Sequence, residues 1–285
     1  MCRRKGLCVV LALCLLLATV LVPPAGVLAA PADAAGDTVS TGADGTVPGL
    51  TDAQETASAA SGRYPDRREP IPDGLTVWDG VIRTEDHWTQ ESMEAYIASC
   101  PFAGGTGTQS DPYRIATPAQ YVHFVMLCRY ALVDSSLDRP FRELSYVITQ
   151  DLCFNPDFAV TEAVATGKDT TLHRVPSVTP QFGGTLDGGG YRLFNLYQFQ
   201  PQNDTKNEEP VGLFAELTSG ATVTGVHLVR GYIGCSKTDT VVGGIAADCR
   251  GVVRNCSVSA TMRLAGGGGG VVGTVGIAGA KVASC

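Results

Sequence analysis

Self-similarity at a spacing near thirty residues is the feature that most restricts what this chain can fold into. Val211-Gly212-Leu213-Phe214-Ala215 resembles Val242-Gly243-Gly244-Ile245-Ala246, 31 positions on, and Gly243-Gly244-Ile245-Ala246-Ala247 returns as Gly269-Gly270-Val271-Val272-Gly273 after 26 more. A second half-unit follows each of these: Ala221-Thr222-Val223-Thr224-Gly225-Val226, then Gly251-Val252-Val253-Arg254-Asn255-Cys256, then Ala280-Lys281-Val282-Ala283-Ser284-Cys285. Strands of three to five residues, with Gly and Asn at the corners and a period of roughly 20 to 30 residues, are the pattern of a parallel solenoid. Each turn would stack on the next at about 4.8 Å, with like side chains forming interior ladders. Asn195 and Asn255 then fall at comparable corners, where asparagine tolerates turn geometry. Cys256 and Cys285 share one phase, which admits interior stacking or a disulfide; stacking is the favoured reading.

Composition agrees with short strands and tight turns. The chain has 285 residues, 34 of them Gly, with 44% hydrophobic and 17% charged residues, enough apolar content for a sizeable core and too little charge for a disordered acidic protein. Its net charge of -7 becomes about -10 once the basic start, Arg3-Arg4-Lys5, is removed, which argues against nucleic acid as a partner.

That basic start, the apolar run to Val22 and the small-residue end Val27-Leu28-Ala29 together read as a signal peptide, residues 1–29, cleaved after Ala29. The run is about 17 residues and is broken by Pro23-Pro24, so a spanning anchor is disfavoured and no transmembrane segment is expected after cleavage. Residues 30–73 are rich in Ala, Gly, Thr, Ser and Asp and read as a disordered linker. A segment over 74–110 leads into a β-region over 111–285, with the repeats at 182–285. Removing Cys2, Cys8 and Cys14 leaves seven cysteines, none in a C-x-x-C pair, read chiefly as small buried residues with room for one or two disulfides.

One helix interrupts the β pattern. Glu91 to Ala98 is ambiguous, but Thr117 can cap a helix, Pro118 suits its first position and Gln120 completes a capping box, giving a capping helix over about 117–132. Tyr121, Phe124, Val125, Cys128 and Leu132 form its apolar stripe, which leaves His123 facing solvent. Tyr146 to Leu152 reads as a strand.

These residues carry a resemblance. Gly105-Thr106-Gly107-Thr108-Gln109-Ser110-Asp111-Pro112-Tyr113-Arg114-Ile115, the helix at Thr117-Pro118-Ala119-Gln120, Gly184-Thr185-Leu186-Asp187-Gly188 through Asn195-Leu196, and the recurring Val-Gly-[Leu/Gly]-[Phe/Ile]-Ala resemble bacterial surface proteins with GLUG motifs over residues 75–285. The resemblance implies an exported right-handed parallel β-helix, of the kind found in adhesin-like proteins and beside the catalytic region of some secreted IgA-cleaving metallopeptidases. The chain departs from the pattern at Ala215 and Ala247, which replace the usual motif glycine, and in insertions over 155–180 and 200–210.

Chemistry is sparse. Glycoside hydrolysis needs two carboxylates about 6.5 to 9.5 Å apart when inverting, and a lyase needs an acidic calcium cluster. Asp187, Glu216, Asp239 and Asp248 stand singly along the sequence, and Asp187, ahead of three glycines, reads as a turn former. None of His87, His123, His173 or His227 begins H-E-x-x-H, the match of Gly268–Gly273 to G-x-G-x-x-G lacks its downstream acid, and no serine sits in G-x-S-x-G. Arg230, Arg250 and Arg254 read as solvent-facing. The expectation is therefore a non-enzyme without cofactor or metal: an exported all-β solenoid module of adhesin type or a structural scaffold. Its candidate ligand-presenting loop holds Asn203, Asp204, Lys206, Glu208 and Glu209, between Gln198 and Pro210; 161–180 should project similarly. Expected partners are a host glycan or protein, or cell-wall components. Ending in mid-repeat, the chain reads as truncated, with missing C-terminal repeats or a missing domain. The alternative is the accessory region of a larger secreted enzyme, a metallopeptidase or polysaccharide-degrading enzyme.

Overall fold

The computed structural model describes residues 70–81, 90–200, 210–276 and 280–285. The stretch read as a signal peptide, all but the end of the stretch read as a linker, and the five loop residues Asn203, Asp204, Lys206, Glu208 and Glu209 lie outside them.

Short strands with β-branched and glycine-rich sequences assemble into parallel sheets, so the fold is all-β with few helices. The first sheet stacks β1 (Tyr113–Ile115), β4 (Ser145–Ile148), β6 (Thr185–Asp187), β10 (Thr222–Thr224), β14 (Val252–Arg254) and β18 (Lys281–Ala283). The second joins β5 (Leu152–Cys153), β7 (Arg192–Phe194), β11 (His227–Cys235) and β15 (Ser257–Arg263), with β8 (Tyr197–Gln200) also on β11. The third holds β9 (Phe214–Leu217), β13 (Ala246–Cys249) and β17 (Val272–Val275), and β12 (Val242–Gly243) pairs with β16 (Gly268–Gly269). One hairpin, β2 (Val133–Asp134) with β3 (Arg139–Pro140), is antiparallel.

The expected alignment of the second half-units holds residue for residue: Thr222 lies opposite Val252, and Val252 opposite Lys281. The spacing of 26 also holds, with Gly243 opposite Gly269 and Ala246 opposite Val272. The spacing of 31 holds only at Val211, which bridges Val242. Phe214 lies opposite Ala246, one residue beyond the aligned Ile245. The extra residue is taken up around Gly243-Gly244, where the missing side chains let backbone approach backbone: a Cβ on Gly244 would lie 2.4 Å from the Gly270 carbonyl oxygen. Interior ladders follow from the register. Tyr146, Leu186, Val223 and Val253 stack in one column and are all but fully buried. Each such apolar side chain is worth about 1.5–3 kcal/mol removed from water.

Several local expectations change. Tyr146 to Leu152 is two strands in two sheets, β4 and β5, because the chain turns at 149–151, where Asp151 accepts hydrogen bonds from the Arg192 main chain and guanidinium. Asn195 and Asn255 both have left-handed φ, 53° and 52°, but occupy different corners: Asn195 precedes Leu196 in the second sheet's stack, and Asn255 stands level with Gly225 and Ser284 beyond the first sheet. Asp187 forms the expected turn, accepting the Gly189 N–H at 2.9 Å.

The helix α1 (Gln90–Ser99) matches the ambiguous segment, and α2 (Pro118–Arg129) is capped by Thr117, which accepts the Gln120 N–H at 3.1 Å. Gln120 reaches back to the Ala116 N–H at 2.8 Å, one residue before the cap. The apolar-stripe reading of α2 is wrong in extent. Tyr121 through Cys128 are all buried, including His123 at 4% exposure. One face plugs the end of the strand stacks, Phe124 lying 4.5 Å from Tyr146 and 5.9 Å from Phe182. The other is covered by α1 and the loop after it, Tyr96 standing 4.6 Å from His123.

The insertion at 161–180 does not simply project. Thr161 caps α3 (Glu162–Ala165), and Val164 packs with Tyr197, Phe199 and Tyr232 in a separate small core on the second sheet. Asn155, fully buried, fastens the insertion by exchanging hydrogen bonds with the main chain of His173. Likewise Gln198 and Gln200, expected in the projecting loop, are buried in β8. Ile71, inside the stretch read as linker, packs with Leu75 on Cys153, Phe194 and Val229.

Candidate binding face

Alternation along β9 and β13 sends Leu217 and Cys249 inward and leaves Glu216 and Asp248 half-buried on the outside. Because Asp248 pairs with Glu216 on one side and Thr274 on the other, three polar side chains stand in consecutive strands, at a strand spacing of about 4.8 Å. The two acids that stood singly in the sequence are thus neighbours. Arg250 bridges them, at 3.3 Å from each carboxylate. Thr274 donates to Asp248 at 3.1 Å, and Gln181 donates to Glu216 at 3.4 Å. Gln181 also borders a cleft of about 230 Å³ with Arg139, Arg142, Glu143 and Thr218, so the polar strip continues toward the 3-10 turn Phe141–Glu143.

Arg250 is 45% exposed, and exposed ion pairs of this kind add only about 0.2–1 kcal/mol each. The strip's worth lies in its chemistry: carboxylates, an amide, a hydroxyl and guanidinium groups in a row offer donors and acceptors to a hydroxyl-rich ligand. The Arg250 guanidinium bridges the carboxylate pair, an arrangement for charge pairing.

A second grouping crosses the second sheet's first position. His227 lies opposite Arg192 and Ser257, and its Nδ1 is 2.8 Å from Ser257 Oγ. Burial, and then the Arg192 charge, hold the imidazole below its ordinary value. A serine thus has a neutral imidazole beside it, but the neighbour of His227 on the preceding strand is a guanidinium rather than a carboxylate, and Arg192 itself binds Asp151. The triad logic of nucleophile, base and orienting acid is not assembled.

Among the described residues, no three His, Cys, Asp or Glu side chains gather into a metal-holding group, and no helix is long and apolar enough to cross a membrane. All seven cysteines from Cys100 to Cys285 are thiols. Cys256 and Cys285 stack in successive strands' corners with matching hydrogen bonds, to Arg254 O at 3.3 Å and Ala283 O at 3.2 Å, but the expected interior position holds only for Cys256, since Cys285 is exposed. Of the three arginines read as solvent-facing, Arg250 and Arg254 are exposed. Arg230 sits at a bulge with φ 61° and pairs with Asp157.

No family model matches the chain, and no solved structure matches it. The chain is similar to halomucin of Haloquadratum walsbyi (strain DSM 16790 / HBSQ001), with 27% identity over 203 residues, 70% of this chain. The match spans 2% of halomucin's own length.

Proposed function

We propose that this chain is an exported, non-catalytic module of a surface protein, a right-handed parallel β-helix of GLUG type that binds through side chains carried on its outer strips. What supports the reading is the succession β10, β11, β13 and then β14, β15, β17, which visits the same three sheets in the same order at aligned spacings of 26 to 30 residues. The partial likeness to halomucin and the basic-apolar-small pattern of residues 1–29 support the exported location. The strip from Arg142 through Gln181, Glu216 and Asp248 to Thr274 is the surface favoured for a glycan or for cell-wall polymer.

Two measurements on the full-length chain test this. Expression followed by fractionation and N-terminal mass analysis should give an extracellular or surface-bound chain starting at Ala30; an intact Met1 chain retained in the cytosol refutes export. Binding to arrayed glycans and cell-wall fragments should fall at least tenfold in the Glu216→Ala/Asp248→Ala chain while its circular dichroism is unchanged. Equal binding by both chains refutes the strip, and hydrolysis of any arrayed polymer refutes the non-catalytic reading.

A further inference from the structure

Where α1 and its following loop close over α2, the strand β1 and the hairpin β2–β3, a cleft of about 280 Å³ opens. Phe102 stacks on Tyr113 at 4.6 Å between centroids, Tyr113 stands near-parallel to Phe141 at 6.2 Å, and all three line the cleft. His123 borders the cleft, 5.8 Å from Phe102. Asp134 and Ser135 complete the polar part.

Asp134 is only 6% exposed. Its carboxylate accepts from the Ser136 N–H at 2.8 Å, from the Ser136 hydroxyl at 2.6 Å and from the Tyr113 phenol. Burial acts to raise this carboxyl, but the hydrogen bonds from Ser136, Tyr113 and Leu137 outweigh it and hold the group below its ordinary value, so it is charged at neutral pH. Burial and the same carboxylate push the Tyr113 phenol up and keep it a donor. Among the described residues, no lysine or arginine lines the cleft. Two basic side chains on β1 and β3 are engaged elsewhere: Arg114 pairs with Asp111 at 2.9 Å, and Arg139, directly across the hairpin from Asp134, donates to the Glu143 carbonyl at 2.9 Å. A buried carboxylate without a cationic partner is costly, and a cation arriving in the cleft would supply that partner.

We infer that this cleft is a binding site for a small organic cation, a quaternary ammonium or a protonated amine. An aromatic lining and one buried anionic group are the two elements such a cation uses, gaining from the rings and from the carboxylate together. An anion would meet the Asp134 charge. A neutral polyol would find mostly ring and glycine surface with few hydrogen-bonding partners. The site is separate from the outer strip and stands whether or not that strip binds a glycan.

The test compares choline with 3,3-dimethylbutan-1-ol, its uncharged isostere, by titration calorimetry of the full chain at pH 8, where a free imidazole is neutral. The expected result is saturable choline binding at least tenfold tighter than the isostere. Phe102→Leu, which keeps apolar volume and removes the ring, should weaken choline and leave the isostere unchanged. Asp134→Asn should reduce choline to the level of the isostere. Should that variant unfold through loss of the Ser136 turn, the comparison of the two probes on the unmodified chain still decides. Equal affinity for both probes, or no choline binding by the folded chain, overturns the inference.

Discussion

Replacing Asn155 with alanine tests how the largest insertion is fastened to the sheets. The side chain donates to His173 O at 3.0 Å and Asn195 O at 3.1 Å and accepts the His173 N–H at 2.7 Å, with no exposed surface. Alanine would leave three main-chain groups without these partners. The Asn195 carbonyl, in a fully buried residue, should cost about 1–3 kcal/mol, and the two half-buried His173 groups, which water can reach in part, about 0.5–1 kcal/mol each. A loss of about 2–5 kcal/mol follows, a large share of a typical domain's stability of about 5–15 kcal/mol. Aspartate should be worse than alanine, since it keeps the acceptor for the His173 N–H but turns a buried negative charge toward two carbonyls. Urea unfolding followed by tryptophan fluorescence suits the question, because Trp78 is buried with its ring 5.8 Å from that of His173. A loss under about 1 kcal/mol for Asn155→Ala, or equal stability of the alanine and aspartate chains, refutes the argument that these bonds hold the insertion.

His227 provides a pH test. Its folded pKa lies below the free value of about 6.5, so the unfolded chain takes up the proton first and stability falls as pH drops through about 6.5 toward the folded value. His227→Gln should flatten the stability difference between pH 7.5 and 5.5 in denaturant melts; an unchanged slope counts against the assigned environment. Arg250→Met leaves Glu216 and Asp248 as unbridged neighbours and should destabilise by up to about 1 kcal/mol at low salt, less in 0.5 M salt; a salt-independent loss would point to lost packing instead. In native chain at pH 8, iodoacetamide should label the exposed Cys285 but not Cys256, whose thiol burial pushes up to about 12; mass spectrometry that finds the two joined as a disulfide refutes the stacked-thiol arrangement.

What the sequence revealed and what it hid separate on one physical line. Strand phase is local, since Val223 and Val253 are the buried middle residues of Thr222–Thr224 and Val252–Arg254, so these half-units aligned without gaps. The helix cap was equally local, needing only Thr117, Pro118 and Gln120. The buried side of His123 was not, because it depends on α1, a segment without a clear pattern of its own, folding over α2. The Glu216–Asp248 pair was hidden by a single residue. At a spacing of 31, Glu216 faces Ala247 and the acids look unrelated; the observed register of 32 brings them together. The extra residue sits among Gly243 and Gly244, where no side-chain periodicity exists to reveal it. Matching Phe-Ala-Glu-Leu at 214–217 to Ala-Ala-Asp-Cys at 246–249 by polar position would have found it.

The outer strip and the aromatic cleft, as proposed ligand sites, differ in how they are built. The strip is built by register alone, one side chain per strand, so any residue change that preserves the inward column can alter it without cost to the fold. The cleft depends on Asp134 satisfying both the Ser136 turn and the Tyr113 phenol. Its carboxylate thus serves structure and charge at once. Asp134→Asn retains a side-chain acceptor for the turn but removes the charge, and Ser136→Ala removes a turn bond but retains the charge. Cation affinity should follow the first substitution far more than the second; thermal stability should fall in both. If Ser136→Ala loses choline as completely as Asp134→Asn while both remain folded, the carboxylate's position rather than its charge makes the cleft selective.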